Sequence, residues 1–321
     1  MAEPVRHRQT KGAATDMFGL QPPRHISTLP TEIWVEATIS GIGFYLFVVH
    51  TATATDRSFL NRDLLTNLNF TAGTVLMFMV GLIMNGTLAL LPTMLQDLMN
   101  YPVLTTGLVT APRGIGSMIA MFVVARVIDR IDNRLIILFG LLLTAASMWQ
   151  MTGFSLYMGM GPVVTSGLVQ GFGLGCTFVP LNTIALSNLP RHILTQGTAL
   201  RSLMRNLGGS LGISILEAKL TENIQMVHSR LVEQLRPDNP LAQVPQLAAP
   251  FSLTDPAGLA ALNAEVTRQA SMVAYLNDFA LMMFMALGSC LVLLLIRSQP
   301  GPATKPMINV GGASMRPGPA D

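Results

Sequence analysis

Repeated apolar runs of about 20 residues constrain this chain more than any other feature, because runs of that length are typical of transmembrane helices. At 1.5 Å per residue they match a hydrocarbon core of roughly 30 Å. Lipid permits only helices or closed barrels, and no alternating strand pattern accompanies the runs. The sequence therefore predicts an all-α, polytopic transmembrane helix bundle of about seven transmembrane helices. The predicted spans are residues 33–49, 74–95, 103–125, 135–154, 162–186, 197–216 and 279–296.

Composition excludes several other classes of protein. Only 12% of the 321 residues are charged and 50% are apolar, whereas soluble domains carry about a quarter charged residues. The net charge of +3 comes from basic residues between the spans, a topological pattern that does not indicate nucleic-acid binding. Cys176 and Cys290 both fall inside apolar runs, so neither a disulfide framework nor a metal site is predicted. No cofactor is expected.

The orientation of the bundle follows from Lys and Arg in the linkers. The linkers after spans one, three and five and the tail after span seven contain Arg, whereas those after spans two and four contain neither Lys nor Arg. The positive-inside rule places the first set in the cytoplasm. Residues 1–32, read as a polar, disordered tail, then lie outside, although they carry four Lys or Arg residues. This conflict indicates that they do not belong naturally in front of this bundle.

The linker between spans six and seven, residues 217–278, is the one long external segment. Apolar residues recur at helical spacing near both of its ends, which predicts an external helical hairpin that extends the two spans. A floppy loop is the alternative. On this division residues 33–216 hold spans one to six, 279–297 hold the seventh, and 298–321 form a disordered cytoplasmic tail.

Arg113 is the most informative single residue. It lies about ten residues into the third span, directly after Pro112, and therefore near the middle of the membrane. An arginine there costs about 2.5–3.5 kcal/mol if it faces lipid, so we expect it to face a water-filled cavity or a partner group. It is either a cavity residue that contacts substrate or a gating partner, or a structural arginine satisfied by helix carbonyls.

Other polar residues inside the spans leave two interpretations open. Gln170, Asn182 and Asn85 are candidates for lining a substrate cavity, and interhelical hydrogen bonding is an equal alternative. Arg201 and Arg205 are four apart, so they share one face near the cytoplasmic end of span six. Long side chains there can reach the interface, which favours anchoring or packing on a neighbouring loop over a binding role.

Glycines recur at every fourth position in two spans. Span five contains Gly167, Gly171 and Gly175, and span six contains Gly208 and Gly212. No strand precedes them, so they are not a dinucleotide-binding fingerprint. In a membrane, small residues at this spacing allow helices to approach closely. We interpret both sets as helix-packing residues.

Catalytic and proton-carrying groups are missing from the predicted spans. No residue set suggests an enzyme, and no catalytic residue is proposed. Apart from Glu36, near the end of the first span, no Asp or Glu falls inside a span as drawn above. Because proton-coupled transport ordinarily needs an intramembrane carboxylate or histidine, the chain alone is not expected to drive proton-coupled transport.

The loop at 126–134 resembles the charged loop motif of major facilitator transporters. Asp129, Arg130 and Arg134 match the pattern, whereas three other positions depart from it. Further stretches, in order, resemble the fourteen-helix drug:proton antiporters of that superfamily, the EmrB/QacA type. They are Thr-Ala-Pro-Arg-Gly-Ile-Gly at 110–116, Gln-Gly-Phe-Gly at 170–173, Pro-Leu-Asn at 180–182, the Gly- and Arg-rich run at 196–212 and Ala-Tyr-Leu-Asn-Asp-Phe at 274–279.

The resemblance covers roughly residues 33–297 and implies the carboxy-terminal half of such a transporter, helices eight to fourteen. It implies a multidrug efflux transporter of the bacterial inner membrane, with small hydrophobic or cationic substrates and proton antiport in the family. It also implies gating by Asp129, Arg130 and Arg134. The expected partners are membrane lipids and a missing amino-terminal half or a periplasmic adaptor protein. The chain is interpreted as a truncated or split product. One alternative is a half-transporter that pairs with another chain, and a second is a non-transporting interaction protein that uses residues 217–278.

Overall fold

The computed structural model describes residues 68–187, 193–234 and 255–294, with scattered helical positions between residues 35 and 49. The chain divides into two units, Met1–Asn61 and Arg62–Asp321. The predicted first span belongs to the first unit, and its described positions are helical. Most of that span and both predicted tails lie outside the described residues.

The second unit is a bundle of helices. They are α1 Leu68–Asp97, α2 Val103–Thr110, α3 Pro112–Val127, α4 Asn133–Thr152, α5 Met160–Ser187, α6 Leu194–Gln234 and α7 Pro256–Leu294. The described residues contain no strand. Five segments are long and apolar enough to cross a membrane: Leu68–Asp97, Val103–Val127, Asn133–Thr152, Met160–Ile184 and Pro256–Leu294. The predicted class, an all-α bundle of membrane helices, is therefore confirmed.

Helix α6 differs from those five segments. It contains the predicted sixth span, but Arg201, Arg205 and Asn206 lower the hydropathy of that stretch. Helices α6 and α7 both continue beyond the predicted ends of their spans, to Gln234 and from Pro256. The external hairpin at 217–278 stays a prediction, because residues 235–254 lie outside the described part of the chain.

The predicted third span consists of two helices that meet at Ala111. Pro112 occupies the first position of α3, where its missing N–H costs little. Ala111 keeps a helical conformation (φ −55°, ψ −35°), and its N–H donates to the carbonyl of Gly107 at 2.9 Å. The chain therefore stays helical through the junction, which sets Arg113 in the first turn of α3.

Glycines form the contact between α3 and α5. A Cβ atom at Gly171 would overlap the carbonyl oxygen of Arg113, and one at Gly116 would overlap that of Leu168. A Cβ at Gly175 would lie 2.8 Å from the carbonyl oxygen of Ser117. Each helix therefore presents a glycine to the backbone of the other, which brings α3 and α5 unusually close.

The contact between α1 and α6 is built in the same way. A Cβ at Gly81 would overlap the carbonyl oxygen of Arg205, and one at Gly208 would overlap that of Phe78. A Cβ at Gly212 would lie 2.9 Å from the Cα of Leu82. Helix α4 packs along α5, and α7 packs against α1, α4 and α6.

A large apolar cluster closes the end of the bundle opposite the 126–134 loop, here called the outer end. It joins the last turns of α1 and α4 to the middle of α6 and α7. Phe154 and Phe279 meet there edge to face, with ring centroids 6.2 Å apart. The cluster buries Leu95, Met148, Leu216, Tyr275 and Met282, among others, so this end is firmly packed.

Candidate functional site

A cavity of about 530 Å³ lies between α1, α2, α3 and α5, with one side chain from α6. Its wall is mainly apolar, because α1 contributes Leu88 and Leu91 and α5 contributes Leu174. Glycines of α5 also line the cavity. The charged residues on the wall are two arginines, Arg113 and Arg205, and the described lining contains no acidic side chain. A cavity of this size and polarity suits a hydrophobic small molecule.

Arg113 reaches from the first turn of α3 across to α1. Its Nη2 donates to the carbonyl oxygen of Met84 at 3.1 Å, and its half-buried side chain lines the cavity. A guanidinium has five N–H donors, so one bond to Met84 leaves donors for a ligand. The two alternatives raised by the sequence are both visible in the geometry: Arg113 has a helix-carbonyl partner and also faces a cavity.

Arg205 brings a second positive charge to the same wall. Its guanidinium carbon lies 5.8 Å from the ring centroid of Phe178, and both residues line the cavity. This is a cation–π contact, which steadies the arginine without neutralising it. The sequence favoured anchoring at the cytoplasmic interface or packing on a neighbouring loop. The structure places the side chain on the cavity wall, in contact with Phe178 of α5.

The three amide candidates lie outside the lining of this cavity. Gln170 is fully buried, and its Nε2 donates to the Thr87 hydroxyl at 3.0 Å. Asn85 and Asn182 each donate to a carbonyl of the preceding turn, both at 2.9 Å. Thr87, which the sequence analysis did not single out, does line the cavity. A hydroxyl side chain within the apolar run 74–95 was the sequence feature that could have marked Thr87 as a cavity residue.

Arg201 is almost completely enclosed, with 2% of its surface exposed. Its Nη1 donates to the backbone carbonyl of Asn182 at 3.3 Å, while Nε and Nη2 have no hydrogen-bond partner among the described residues. Of the two roles that the sequence favoured, anchoring at the interface or packing on a neighbouring segment, the burial of Arg201 and its bond to α5 fit packing. Arg201 and Arg205 thus have different surroundings although they are one turn apart.

The loop motif residues lie at the other end of the bundle from the outer end. Asp129 and Arg130 are exposed, Arg134 is half-buried, and none forms an ion pair with a described residue. The helix N-terminus in this loop is capped by Asp132, whose Oδ1 accepts from the Arg134 N–H at 3.1 Å. Gating by Asp129, Arg130 and Arg134 stays a prediction.

One buried carboxyl was missed by the sequence analysis. Asp278 lies inside α7, a helix apolar enough to cross a membrane, with 1% of its surface exposed. Hydropathy placed the start of the seventh span at Phe279, so the sequence analysis left Asp278 just outside that span and did not predict its burial. The helical spacing of Asp278 from the apolar residues Tyr275 and Met282 was the signal that could have placed it on the buried face.

The geometry is that of a multi-pass membrane protein with a partly open, mainly apolar cavity. The family model described as Major Facilitator Superfamily matches residues 12–213, and the chain belongs to that family. The family recognised from the loop and helix motifs is thereby confirmed. The described part of the chain supplies a helix bundle of the kind that such transporters use.

Curated relatives are multidrug and fatty acid resistance proteins. The chain is 30% identical over 213 residues to the multidrug export protein EmrB of Escherichia coli strain K12, covering 66% of this chain and 41% of the relative. It is 27% identical over 264 residues to EmrB of Haemophilus influenzae, covering 82% and 52%. It is 29% identical over 213 residues to the fatty acid resistance protein FarB of Neisseria gonorrhoeae, covering 65% and 42%. The chain thus spans about half the length of these relatives.

Proposed function

We propose that this chain forms the carboxy-terminal half of a multidrug efflux transporter of the bacterial inner membrane. The cavity that holds Arg113 would be its contribution to the substrate path. The observation that carries the proposal is an arginine with one carbonyl partner, on the wall of an apolar cavity of about 530 Å³. The similarity to multidrug export proteins supports it.

The charge of the wall narrows the substrate class. Arg113 and Arg205 lie on it, and the described lining has no acidic group. In a medium of low dielectric, two cations attract a hydrophobic anion and repel a hydrophobic cation. The resemblance alone implied hydrophobic or cationic compounds. The wall favours neutral and acidic hydrophobic compounds, in keeping with a relative named for fatty acid resistance.

A complete path would need a second set of helices. In major facilitator folds the substrate site lies between two halves that rock against each other, and this chain spans 41–52% of the length of the relatives compared. We therefore propose that it acts together with an amino-terminal half, and that a periplasmic adaptor protein is a further partner. The proposed coupling is proton antiport.

A matched pair of ions tests the cavity. Tetraphenylborate and tetraphenylphosphonium have nearly the same shape and opposite charges. Binding of each to the purified chain in lipid nanodiscs is measured by calorimetry, with protein-free nanodiscs subtracted. We expect tetraphenylborate to bind more tightly. Arg113→Ala should weaken its binding about tenfold, which corresponds to roughly 1.4 kcal/mol.

Two variants serve as controls for this measurement. Arg113→Lys keeps the charge and should retain most of the affinity for tetraphenylborate. Arg130→Ala removes an exposed arginine of the loop and should leave the affinity unchanged. Tighter binding of tetraphenylphosphonium, or equal loss of tetraphenylborate in Arg113→Ala and Arg130→Ala, would contradict the proposed cavity.

Transport is tested in cells that lack their own efflux pumps. The chain is expressed alone and together with the seven-helix amino-terminal half of a related multidrug exporter. We expect efflux of a hydrophobic acid only in the second case, and its loss in Arg113→Ala. Efflux driven by the chain alone would contradict the half-transporter proposal. A chain that joins the first half but never exports would point instead to an interaction protein.

A further inference from the structure

Asp278 occupies an unusual position at the outer end of the bundle. It lies in the unbroken helix α7 with 1% of its surface exposed, and its Oδ2 has no hydrogen-bond partner. Its neighbours along the helix, Tyr275 and Phe279, belong to the apolar cluster that closes this end. An ionised carboxylate in such surroundings is strongly destabilising unless it gains a partner or a proton.

Charged groups from two neighbouring helices act on this part of α7. Lys219 of α6 acts electrostatically on Asp278, whereas Asp97 of α1, Glu217 of α6 and Asp278 itself act on Tyr275. Helix α4 contributes none, since its one charged residue, Arg134, is at the opposite end. Lys219 is therefore the basic group placed to neutralise Asp278.

Lys219 is held elsewhere in this structure. Its Nζ lies 2.6 Å from Oε2 of Glu222, one turn further along α6, and both side chains are about half exposed. No basic side chain among the described residues lies within ion-pair distance of Asp278. A lysine side chain is a flexible four-carbon stem with a mobile ammonium group, so Lys219 has two acceptors to choose from, one in water and one buried.

We propose that Asp278 is a proton-exchange site at the outer end of the bundle, with Lys219 as its alternating counter-charge. In the arrangement seen here Lys219 pairs with Glu222, and in the proposed cycle this is the state in which the carboxyl carries the proton. When the proton leaves for external water, Lys219 Nζ breaks its bond to Glu222 and pairs with the Asp278 carboxylate. The inference rests on the proposed function in one respect: it names the residue through which this half would couple transport to protons.

The surroundings favour a proton over a metal ion as the ligand. Among the described residues, no group of three or more His, Cys, Asp or Glu side chains is placed to hold a metal. Asp97, Glu217 and Asp278 therefore do not converge on one point, whereas a proton needs only one carboxyl. The cavity around Arg113 has no carboxyl on its described wall, so a proton site in this half would lie apart from the bound substrate.

Infrared spectroscopy of the purified full chain tests the site without any substrate. Spectra are recorded across a pH series for the wild type, Asp278→Asn, Asp97→Asn and Glu217→Gln. We expect a carboxylic-acid band in the wild type at neutral pH that disappears in alkali. The band should be missing in Asp278→Asn and retained in the other two variants. A wild type without the band, or an Asp278→Asn variant that keeps it, overturns the proposal.

Two further variants test the counter-charge. Lys219→Met removes the alternative partner, so the band should persist to higher pH by about one unit or more. Glu222→Gln frees Lys219 for Asp278, so the band should vanish at lower pH. Shifts in the same direction, or none, contradict the exchange. Circular dichroism and gel filtration check that each variant folds, and Asp278→Glu should restore a band at a changed frequency.

The result separates this inference from the proposed function. Tetraphenylborate binding that depends on Arg113, without a carboxylic-acid band from Asp278, rejects the proton site and keeps the proposed cavity. A band from Asp278 with no binding of tetraphenylborate keeps the proton site and rejects the cavity as a substrate site.

Discussion

Arg113 and Arg201 make the most instructive comparison in this molecule. Each donates one hydrogen bond to a backbone carbonyl of a neighbouring helix, at 3.1 Å to Met84 and at 3.3 Å to Asn182. Arg113 is half-buried and faces a cavity. Arg201 is 2% exposed, and two of its nitrogens have no partner.

The difference shows that an arginine within a membrane helix does not by itself mark a binding site. A charge on a cavity wall can meet water or a ligand, so its field acts on whatever enters. A charge enclosed by packed helices acts only on the protein around it. We therefore expect Arg113 to determine binding and Arg201 to determine stability, and the following changes test that division.

The largest change in stability is expected from a substitution at Gly171, whose close contact with α3 positions Arg113. Gly171→Ala places a methyl group against the carbonyl oxygen of Arg113, which forces α3 and α5 apart. We expect it to destabilise the bundle by about 3 kcal/mol, the upper part of the range for overpacking, measured by thermal unfolding in detergent.

Gly167→Ala is the matched control, because it adds the same methyl group to the same helix. Its nearest neighbours would be Arg113 atoms at 3.8 and 3.9 Å, an ordinary contact. We expect no destabilisation, and a small gain from the better helix propensity of alanine. Equal destabilisation by the two variants would show that the contact between α3 and α5 does not depend on Gly171.

Arg201 comes second. Arg201→Ala should destabilise the protein by about 2 kcal/mol, because it leaves a void in a packed region. Arg201→Met fills the space and removes a charge with two unpartnered nitrogens, so stability should be unchanged or rise by about 1 kcal/mol. Neither variant should alter the binding of tetraphenylborate.

Arg113→Met should give the reverse result, with stability within about 1 kcal/mol of the wild type and clearly weaker binding of tetraphenylborate. Thermal unfolding and calorimetry on the same samples provide both readouts. Loss of binding in Arg201→Met, with none in Arg113→Met, would reverse the roles assigned to the two arginines.

The smallest change in stability is expected from the hydrogen-bonded pair Thr87 and Gln170, next to the cavity. Thr87→Val removes the described partner of the fully buried Gln170 Nε2, and should cost about 1–3 kcal/mol because the amide is left unsatisfied. Gln170→Leu should cost less, since the Thr87 hydroxyl still donates to Ile83. In the double variant we expect a coupling energy of about 1 kcal/mol, and purely additive effects would argue against the pair.

Sequence reasoning located the helices well and the buried faces poorly. Hydropathy is a local property, and the apolar runs at 74–95 and 135–154 were found inside or close to α1 and α4. Whether Arg201 or Arg205 faces a cavity depends on where α5 lies, and no local pattern contains that information. The burial of Asp278 was missed for a related reason: it depends on how α7 packs against the other helices, which hydropathy along the chain does not contain.

The unbroken course of α6 has a mechanical consequence. Arg205 on the cavity wall and Lys219 near Asp278 lie on one rigid helix, separated by about 21 Å along its axis and by only about 40° around it, at 1.5 Å and 100° per residue. A slide or a twist of this helix therefore displaces both side chains together and in nearly the same direction. Because α6 is continuous between these two residues, a displacement of the helix at the cavity is transmitted to its part at the outer end without an intervening loop.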